Sequence, residues 1–376
     1  MNQTFRFLAV SLATALLCVV NASKAKLEAR ADVSVTVFAT GLNDPRGLAF
    51  GPDKHLYVAE AGVGGGALST VGQCDQVAPP VGPYTGGHTG RVLRFSPSGG
   101  SSVLADGLPS AAASPLIGGD KSGVSSLAFV GNRLLALVSG AGCSHGHSDA
   151  DNGILAVGRG GTAQLANLSA WLLANPGAKG AQEPRDPDYE PDGTWYSMVF
   201  AHGKLYGVEP NHGLLVSVHP TNGDITLERD LLDAFGDHTY TALAAQGGNV
   251  YVGTLGRIAW LPDISPPVPD FAESFKAGIY RLSPDGQATQ VASGLRAVLG
   301  IAFDSRQRMY ALQSPIFVPG TGSLVRQDAF GQWETIVAGL NFPSALTVGP
   351  DNALYISECG YHCGPGQGRI IRVTTP

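Results

Sequence analysis

Lysine is scarce in this chain: seven residues in 376, with 24 lysines and arginines against 30 aspartates and glutamates and a net charge of −6. Phosphate backbones are neutralised by clustered cations, so this acidic balance excludes a nucleic-acid surface. Charged residues make up only 14% of the sequence, against roughly 25% in an ordinary soluble domain. Beyond Val20 no apolar run approaches the ~18 residues that a membrane-spanning helix needs. Phrases that carry a known chemistry are missing too: no glycine-rich phosphate loop with lysine and no H-E-x-x-H pair. What is abundant is glycine, 51 residues without a triplet period, which excludes collagen. Apolar residues at 44% exclude wholesale disorder. Low charge, high glycine and frequent turns point to an all-β chain of many short strands.

The N-terminus is set apart. One positive charge in Met1–Arg6, an apolar run from Phe7 to Val20 and small residues at Ala22 and Ala25 read as a cleavable signal peptide over residues 1–25. The mature chain, 26–376, is then a secreted, extracytoplasmic protein and a single domain. It keeps Cys74, Cys143, Cys359 and Cys363. An even number of cysteines in an exported protein favours disulfides. Cys359 and Cys363 share one loop, which leaves Cys74 for Cys143. The competing arrangement is a zinc site drawing on His145 and His362, although zinc ligands are usually spaced in tighter pairs.

An internal repeat dominates the rest. An apolar stretch ending in Gly-Leu is followed by a short strand, a turn and a second strand. It occurs as Val37-Phe-Ala-Thr-Gly-Leu42 before Gly47-Leu-Ala-Phe50 and Leu56-Tyr-Val-Ala-Glu60, and as Ile336-Val-Ala-Gly-Leu340 before Ala345-Leu-Thr-Val348 and Leu354-Tyr-Ile-Ser-Glu358. Six such copies, each with a third strand ending in a Pro/Gly turn and a fourth strand, describe a six-bladed β-propeller. The last copy stops after its third strand, Gly368–Val373, and the missing fourth is available at Val33–Thr40. Pairing the two closes the ring and removes two exposed edges. Residues 26–31 precede that strand and are expected to be dispensable. Small residues open each first strand: Gly47, Ser126, Ser197, Ala242, Gly300 and Ala345. Inner strands converging on an axis need them.

The long insertions all emerge on one rim, where loops on a rigid scaffold usually carry function. The second strands end there at Glu60, Ser139, Glu209, Thr254, Gln313 and Glu358. Converging carboxylates of Glu60, Glu209 and Glu358 suit a hard cation such as calcium. They equally suit acid–base catalysis, where repulsion raises one pKa. A third reading has each glutamate pairing with Arg46, Arg257 or Arg296, or capping a loop backbone. Glu209-Pro-Asn211-His212-Gly213 is the densest polar phrase in this ring. Cys143-Ser-His145-Gly-His147-Ser-Asp149-Ala-Asp151 has the look of a metal-ligand string, although Asp in glycine-rich loops is common in solvent. Ser169–Ala174 reads as a short helix stopped by Pro176, opening a segment to Gly193 that could cover the rim.

Gly41-Leu-Asn-Asp-Pro-Arg-Gly-Leu-Ala-Phe50, Glu190-Pro-Asp-Gly-Thr-Trp-Tyr-Ser197, Glu209-Pro-Asn-His-Gly213 and Cys359-Gly-Tyr-His-Cys363 together resemble the ScyD/ScyE family, associated with scytonemin biosynthesis. The resemblance extends over nearly all of residues 33–374. It implies a secreted six-bladed propeller related to NHL-like and gluconolactonase-like propellers. The functional expectation is an extracytoplasmic, monomeric binding or accessory protein. Glu60, Glu209, Asn211, His212 and Glu358 would hold a small polar or carbohydrate-like ligand, or a divalent cation such as calcium. The alternative is a metal-dependent hydrolase or lyase of the gluconolactonase-like type.

Overall fold

The computed structural model describes residues 27–177, 189–236, 239–257, 274–314 and 319–376; the expected leader, residues 1–25, lies outside them. Two N-terminal strands, β1 (Glu28–Ala29) and β2 (Ser34–Leu42), precede the first repeat. Blade one holds β3 (Pro45–Phe50), β4 (Leu56–Glu60), β5 (Thr85–Phe95) and β6 (Ser101–Ala112), with β7 (Lys121–Ser122) added at its edge. Blade two holds β8 (Val124–Val130), β9 (Arg133–Val138), β10 (Gly153–Gly158) and β11 (Gly161–Asn167). Blade three holds β12 (Ser197–Ala201), β13 (Lys204–Glu209), β14 (Leu214–Val218) and β15 (Ile225–Asp230). Blade four holds β16 (Thr239–Gln246), β17 (Asn249–Gly256), β18 (Lys276–Leu282) and β19 (Ala288–Arg296). Blade five holds β20 (Val298–Phe303), β21 (Met309–Gln313), β22 (Gly322–Gln327) and β23 (Trp333–Leu340). Blade six holds β24 (Ala345–Val348), β25 (Leu354–Glu358) and β26 (Gly368–Thr374). All six are antiparallel meanders, the six-bladed propeller the repeats predict.

Closure follows the expected route. β2 is the outermost strand of blade six, antiparallel to β26, with Val35 opposite Val373 and Val37 opposite Ile371. One expectation fails. Residues 26–31 are not idle, because β1 pairs with β23 as a fifth strand of blade five, Glu28 opposite Ala338 and Ala29 opposite Val337. Leu27 packs on the core there and Arg30 forms an ion pair with Glu334. The cause is geometric: a chain entering β2 must cross the rim of the neighbouring blade, whose outer edge offers unpaired backbone groups.

The core lies between blades. Apolar clusters join neighbours around the ring, from Tyr57, Val92, Leu134 and Val138 between blades one and two to Leu56, Val58, Tyr355 and Ile370 between six and one. Second strands are therefore covered on both faces, and every residue of β4 and β25 is buried. That is why they read as largely apolar runs, whereas the outer strand β2 leaves five of its nine residues exposed. The recurring Gly-Leu phrase has a local cause. Gly41 and Gly339 adopt φ of 78° and 80°, and a Cβ on Gly41 would meet nothing within 4 Å, so the backbone angle itself selects glycine. The β2–β26 register shifts beside Gly41, between Thr40 and Leu42, as a bulge that turns the chain toward the axis. Among the described residues no helix is long and apolar enough to cross a membrane. The short helix expected near residue 169 is α1 (Leu168–Ala174), whose first turn is capped by Asn167 Oδ1 accepting from Ala170 N.

Candidate functional site

The six inner strands surround a narrow axial channel of about 80 Å³, lined by Gly47, Ser126, Ser197, Ala242, Gly300 and Ala345. These are the small residues that convergence on an axis requires. A Cβ on Gly47 would stand 2.7 Å from the Ser125 carbonyl oxygen, which no side chain tolerates. At the rim bearing the long loops, Arg46 and Tyr196 also line the channel.

Arg46 is the centre of a half-buried polar group. Its Nη2 donates to Asp120 Oδ1 at 3.3 Å and to the carbonyl of Lys121, its Cζ sits 6.0 Å over the Tyr361 ring, and its Nε has no partner. Burial works against its charge, but Asp120, Tyr196, Asp44 and Tyr361 outweigh it and raise the pKa. Lys121 Nζ lies 3.4 Å from Asp44 Oδ2. Burial pushes the Asp44 carboxyl up to about 6, against the pull of Lys121 and Arg46. Tyr361 shares a hydrogen bond with Ser314 and stacks edge-on against Phe342 at 5.1 Å. Burial raises the Tyr196 and Tyr361 phenols and lowers the His362 imidazole, so all three present neutral groups near pH 7. The loop carrying Tyr361 and His362 is closed by the Cys359–Cys363 disulfide, as expected. The Cys74–Cys143 disulfide also forms, joining the loops of blades one and two.

The expected carboxylate ring lies elsewhere. Glu60, Glu209 and Glu358 have fully buried side chains, and their ligand oxygens do not gather at one point. Each is occupied by the protein. Glu60 accepts Asn43 N–H at 2.7 Å and pairs with Arg91 at 2.6 Å. Glu358 accepts Asn341 N–H at 2.8 Å and pairs with Arg369 at 2.6 Å. The partners are thus third-strand arginines opposite in register, not Arg46, Arg257 or Arg296. Glu209 accepts Thr194 N–H at 3.0 Å and meets His212 Nδ1 at 3.1 Å, while His212 Nε2 lies 3.2 Å from Tyr189 Oη. Asn211 is buried in the same turn. Burial raises the Glu60 carboxyl pKa against the Asn43 amide and Arg91.

A second buried group escaped the sequence. His145 is fully buried between Glu190 Oε2 at 3.6 Å and Asp192 Oδ1 at 3.5 Å, with Tyr84 donating to Glu190 Oε1 at 2.9 Å. Burial opposes the charge, yet the two carboxylates push the imidazole up to about 10. His145 appears in the sequence as one member of a polar string. Only the return of residues 190–192, in the connection just ahead of β12, reveals its partners.

No family model matches the chain, and no curated protein matches it in sequence. Solved structures do resemble its fold. A gluconolactonase from Xanthomonas campestris matches with a TM-score of 0.53 and 13% identity, over 93% of this chain and 91% of that one. A PQQ-bound aldose sugar dehydrogenase from Streptomyces coelicolor matches with a TM-score of 0.53 and 13% identity, over 92% and 99%.

Proposed function

We propose that the axial mouth binds a small polar ligand of the carbohydrate or sugar-acid class, with Arg46 as its charged contact. The observation that carries this reading is the Arg46 guanidinium, held at the mouth of the channel among two neutral phenols, a neutral imidazole and Asp120. Fixed donors beside aromatic faces suit hydroxyl-rich ligands, and a guanidinium suits a carboxylate. The sugar chemistry named for the gluconolactonase and the aldose dehydrogenase agrees with this ligand class.

The ScyD/ScyE reading belongs here as well. Arg46, Tyr196 and Tyr361 come from three of the four phrases behind that resemblance, and Glu209 of the fourth holds the backbone of Thr194 two residues before Tyr196. Two disulfides suit an exported protein. N-terminal sequencing of protein recovered outside the cell should begin near Lys26. A thermal-shift panel of neutral sugars, sugar acids and lactones tests the ligand class. A sugar acid should raise the melting temperature of the native chain in a saturable way, and Arg46→Met should remove the rise. A panel without effect on the native chain sinks the proposal. Hydrolysis of a lactone is the second reading. Asp44 favours it, since a carboxyl near 6 suits proton transfer. Lactone turnover unaffected by Asp44→Asn would discard Asp44 as the acid or base.

A further inference from the structure

Away from the axis, where blades one and two meet, two histidines and an aspartate face one another. His88 comes from β5; His147 and Asp149 come from the loop between β9 and β10. His88 Nε2 lies 3.1 Å from Asp149 Oδ2, and His147 Nδ1 lies 3.1 Å from Asp149 Oδ1. The ligand atoms of all three residues fall within 4.8 Å of one another, and among the described residues no other such group exists. The rings stand edge to face, with centroids 5.2 Å apart.

The far side of His147 makes this more than a surface cluster. Its Nε2 lies 2.9 Å from the carbonyl oxygen of Ser110, in a buried position, and that oxygen can only accept. A neutral imidazole has a single N–H, so the proton belongs on Nε2. The Nδ1 lone pair then faces the Asp149 carboxylate, two electron-rich atoms in contact. A cation between them resolves the conflict. A backbone carbonyl fixing the tautomer of a ligating histidine is the usual companion of a metal site. The ring is also wedged in place: a Cβ on Gly86 would stand 2.9 Å from His147 Nε2 and 2.8 Å from the Gly146 carbonyl oxygen, so only glycine at 86 admits it.

We infer that His88 Nε2, His147 Nδ1 and an Asp149 oxygen form a site for a divalent transition metal of the zinc class. Tetrahedral ligands at about 2.0–2.1 Å from zinc stand about 3.3 Å from each other. Each histidine already stands 3.1 Å from one Asp149 oxygen, His88 from Oδ2 and His147 from Oδ1, and the three ligand atoms together lie within 4.8 Å, so a small approach of the exposed His88 and Asp149 side chains completes the set. Two imidazoles and one carboxylate are borderline ligands that suit zinc and its neighbours rather than calcium, which wants six to eight oxygens. His88 and Asp149 are exposed at 43% and 53%, so a fourth position opens to solvent. The Cys74–Cys143 disulfide already fixes the start of the His147 loop against blade one. The site is independent of the axial mouth, and its failure would leave that reading untouched.

The rival occupant of Nδ1 is a second proton, and the experiment separates the two. Tag-free, non-reduced protein stripped with chelator is titrated with zinc against a fluorescent competitor, with calcium as the control ion. The native chain should bind one zinc ion and no calcium at that site. His88→Ala, an exposed change that leaves the buried ring in place, should weaken zinc binding by about 100-fold or more. Asp149→Ala should do the same. Nitrogen NMR of the native protein should show His147 Nδ1 shifting on zinc addition while Nε2 keeps its proton. Zinc binding unchanged in His88→Ala, no zinc binding in the native chain, or a His147 imidazolium that zinc fails to displace would each overturn the assignment.

Discussion

Glu60 accepts the main-chain N–H of Asn43, seventeen residues upstream, at 2.7 Å. Glu358 repeats the contact on Asn341 at the same separation and Gln313 repeats it on Arg296, at 2.8 Å and 2.7 Å. In each case the next residue has positive φ: Asp44 at 46°, Phe342 at 42° and Ala297 at 44°. Such backbone is costly for residues with a side chain and persists only when its surroundings hold it. The end of the second strand is therefore a clamp on the crossover that brings the chain from one blade to the next. Glu60→Ala and Glu358→Ala each leave a part-buried N–H and an arginine without their acceptor, so each should cost about 1–3 kcal/mol. Chemical denaturation should show that loss, while calcium should shift neither variant differently from the native chain. A calcium-dependent midpoint in the native protein, abolished by either change, would restore the cation reading of this ring.

His145 predicts a pH dependence. Its folded pKa, near 10, lies above its unfolded value of 6.5. A raised histidine contributes stability that is fully present below the unfolded pKa and is lost as pH rises through the folded one. The protein should therefore weaken between about pH 6.5 and pH 10, with the loss growing toward the upper end. His145→Gln leaves Glu190 and Asp192 buried without their cation and should cost about 3–5 kcal/mol at neutral pH. Melting curves across that range should fall less steeply for the variant. Parallel curves would show that another group governs the alkaline limb.

The contrast between these sites shows what sequence pattern carries. Blade number, ring closure and axial small residues were legible because each is a repeated, local property: a Gly-Leu bulge, a turn, a residue without bulk at a fixed register. The disulfides were legible from loop membership. Partners were not. The position of Glu60 is visible in the repeat, but its target is an amide exposed only by the left-handed turn at Asp44. Arg46 is adjacent in sequence to that turn and looked like a counter-ion for the glutamates, yet its neighbours Asp120 and Tyr361 arrive from blades one and six. β1 gives no signal at all, since two residues pairing with an edge have no periodicity to read.

The Cys74–Cys143 bridge spans 69 residues and ties an insertion in blade one to a loop in blade two. Closing a long loop restricts the unfolded chain, and breaking it with paired Cys74→Ser and Cys143→Ser changes should cost roughly 2–4 kcal/mol. Because the His147 loop begins at Cys143, the same variant should bind zinc more weakly than the native chain. Peptide mapping of unreduced protein provides the direct check. Free thiols at all four positions would remove the premise.

The closure of the ring allows two truncations to be compared. Removing residues 26–40 takes away most of β2, so β26 loses its partner from Ser34 to Thr40 and blade six is left with an unpaired edge. The loss reaches further than the ladder. Phe38 sits between blades, its ring 5.3 Å from Tyr355 of blade six and 6.1 Å from Phe95 of blade one. Val35 packs into the cluster shared by blades five and six, whereas Val37 is 56% exposed and contributes little. Phe38 and Val35 are partly buried, so each contributes at most about 1.5–3 kcal/mol. An open ring also exposes strand edges that recruit other chains. This truncation should aggregate or melt far below the intact mature chain. Removing residues 26–31 instead deletes the two-residue β1 and the Arg30 ion pair with the half-exposed Glu334. Exposed pairs contribute about 1 kcal/mol or less, and the short ladder adds little, so a small but measurable drop in melting temperature is expected. If the longer deletion melts like the shorter one, β2 does not close the propeller, and the stability of blade six must come from its own three strands.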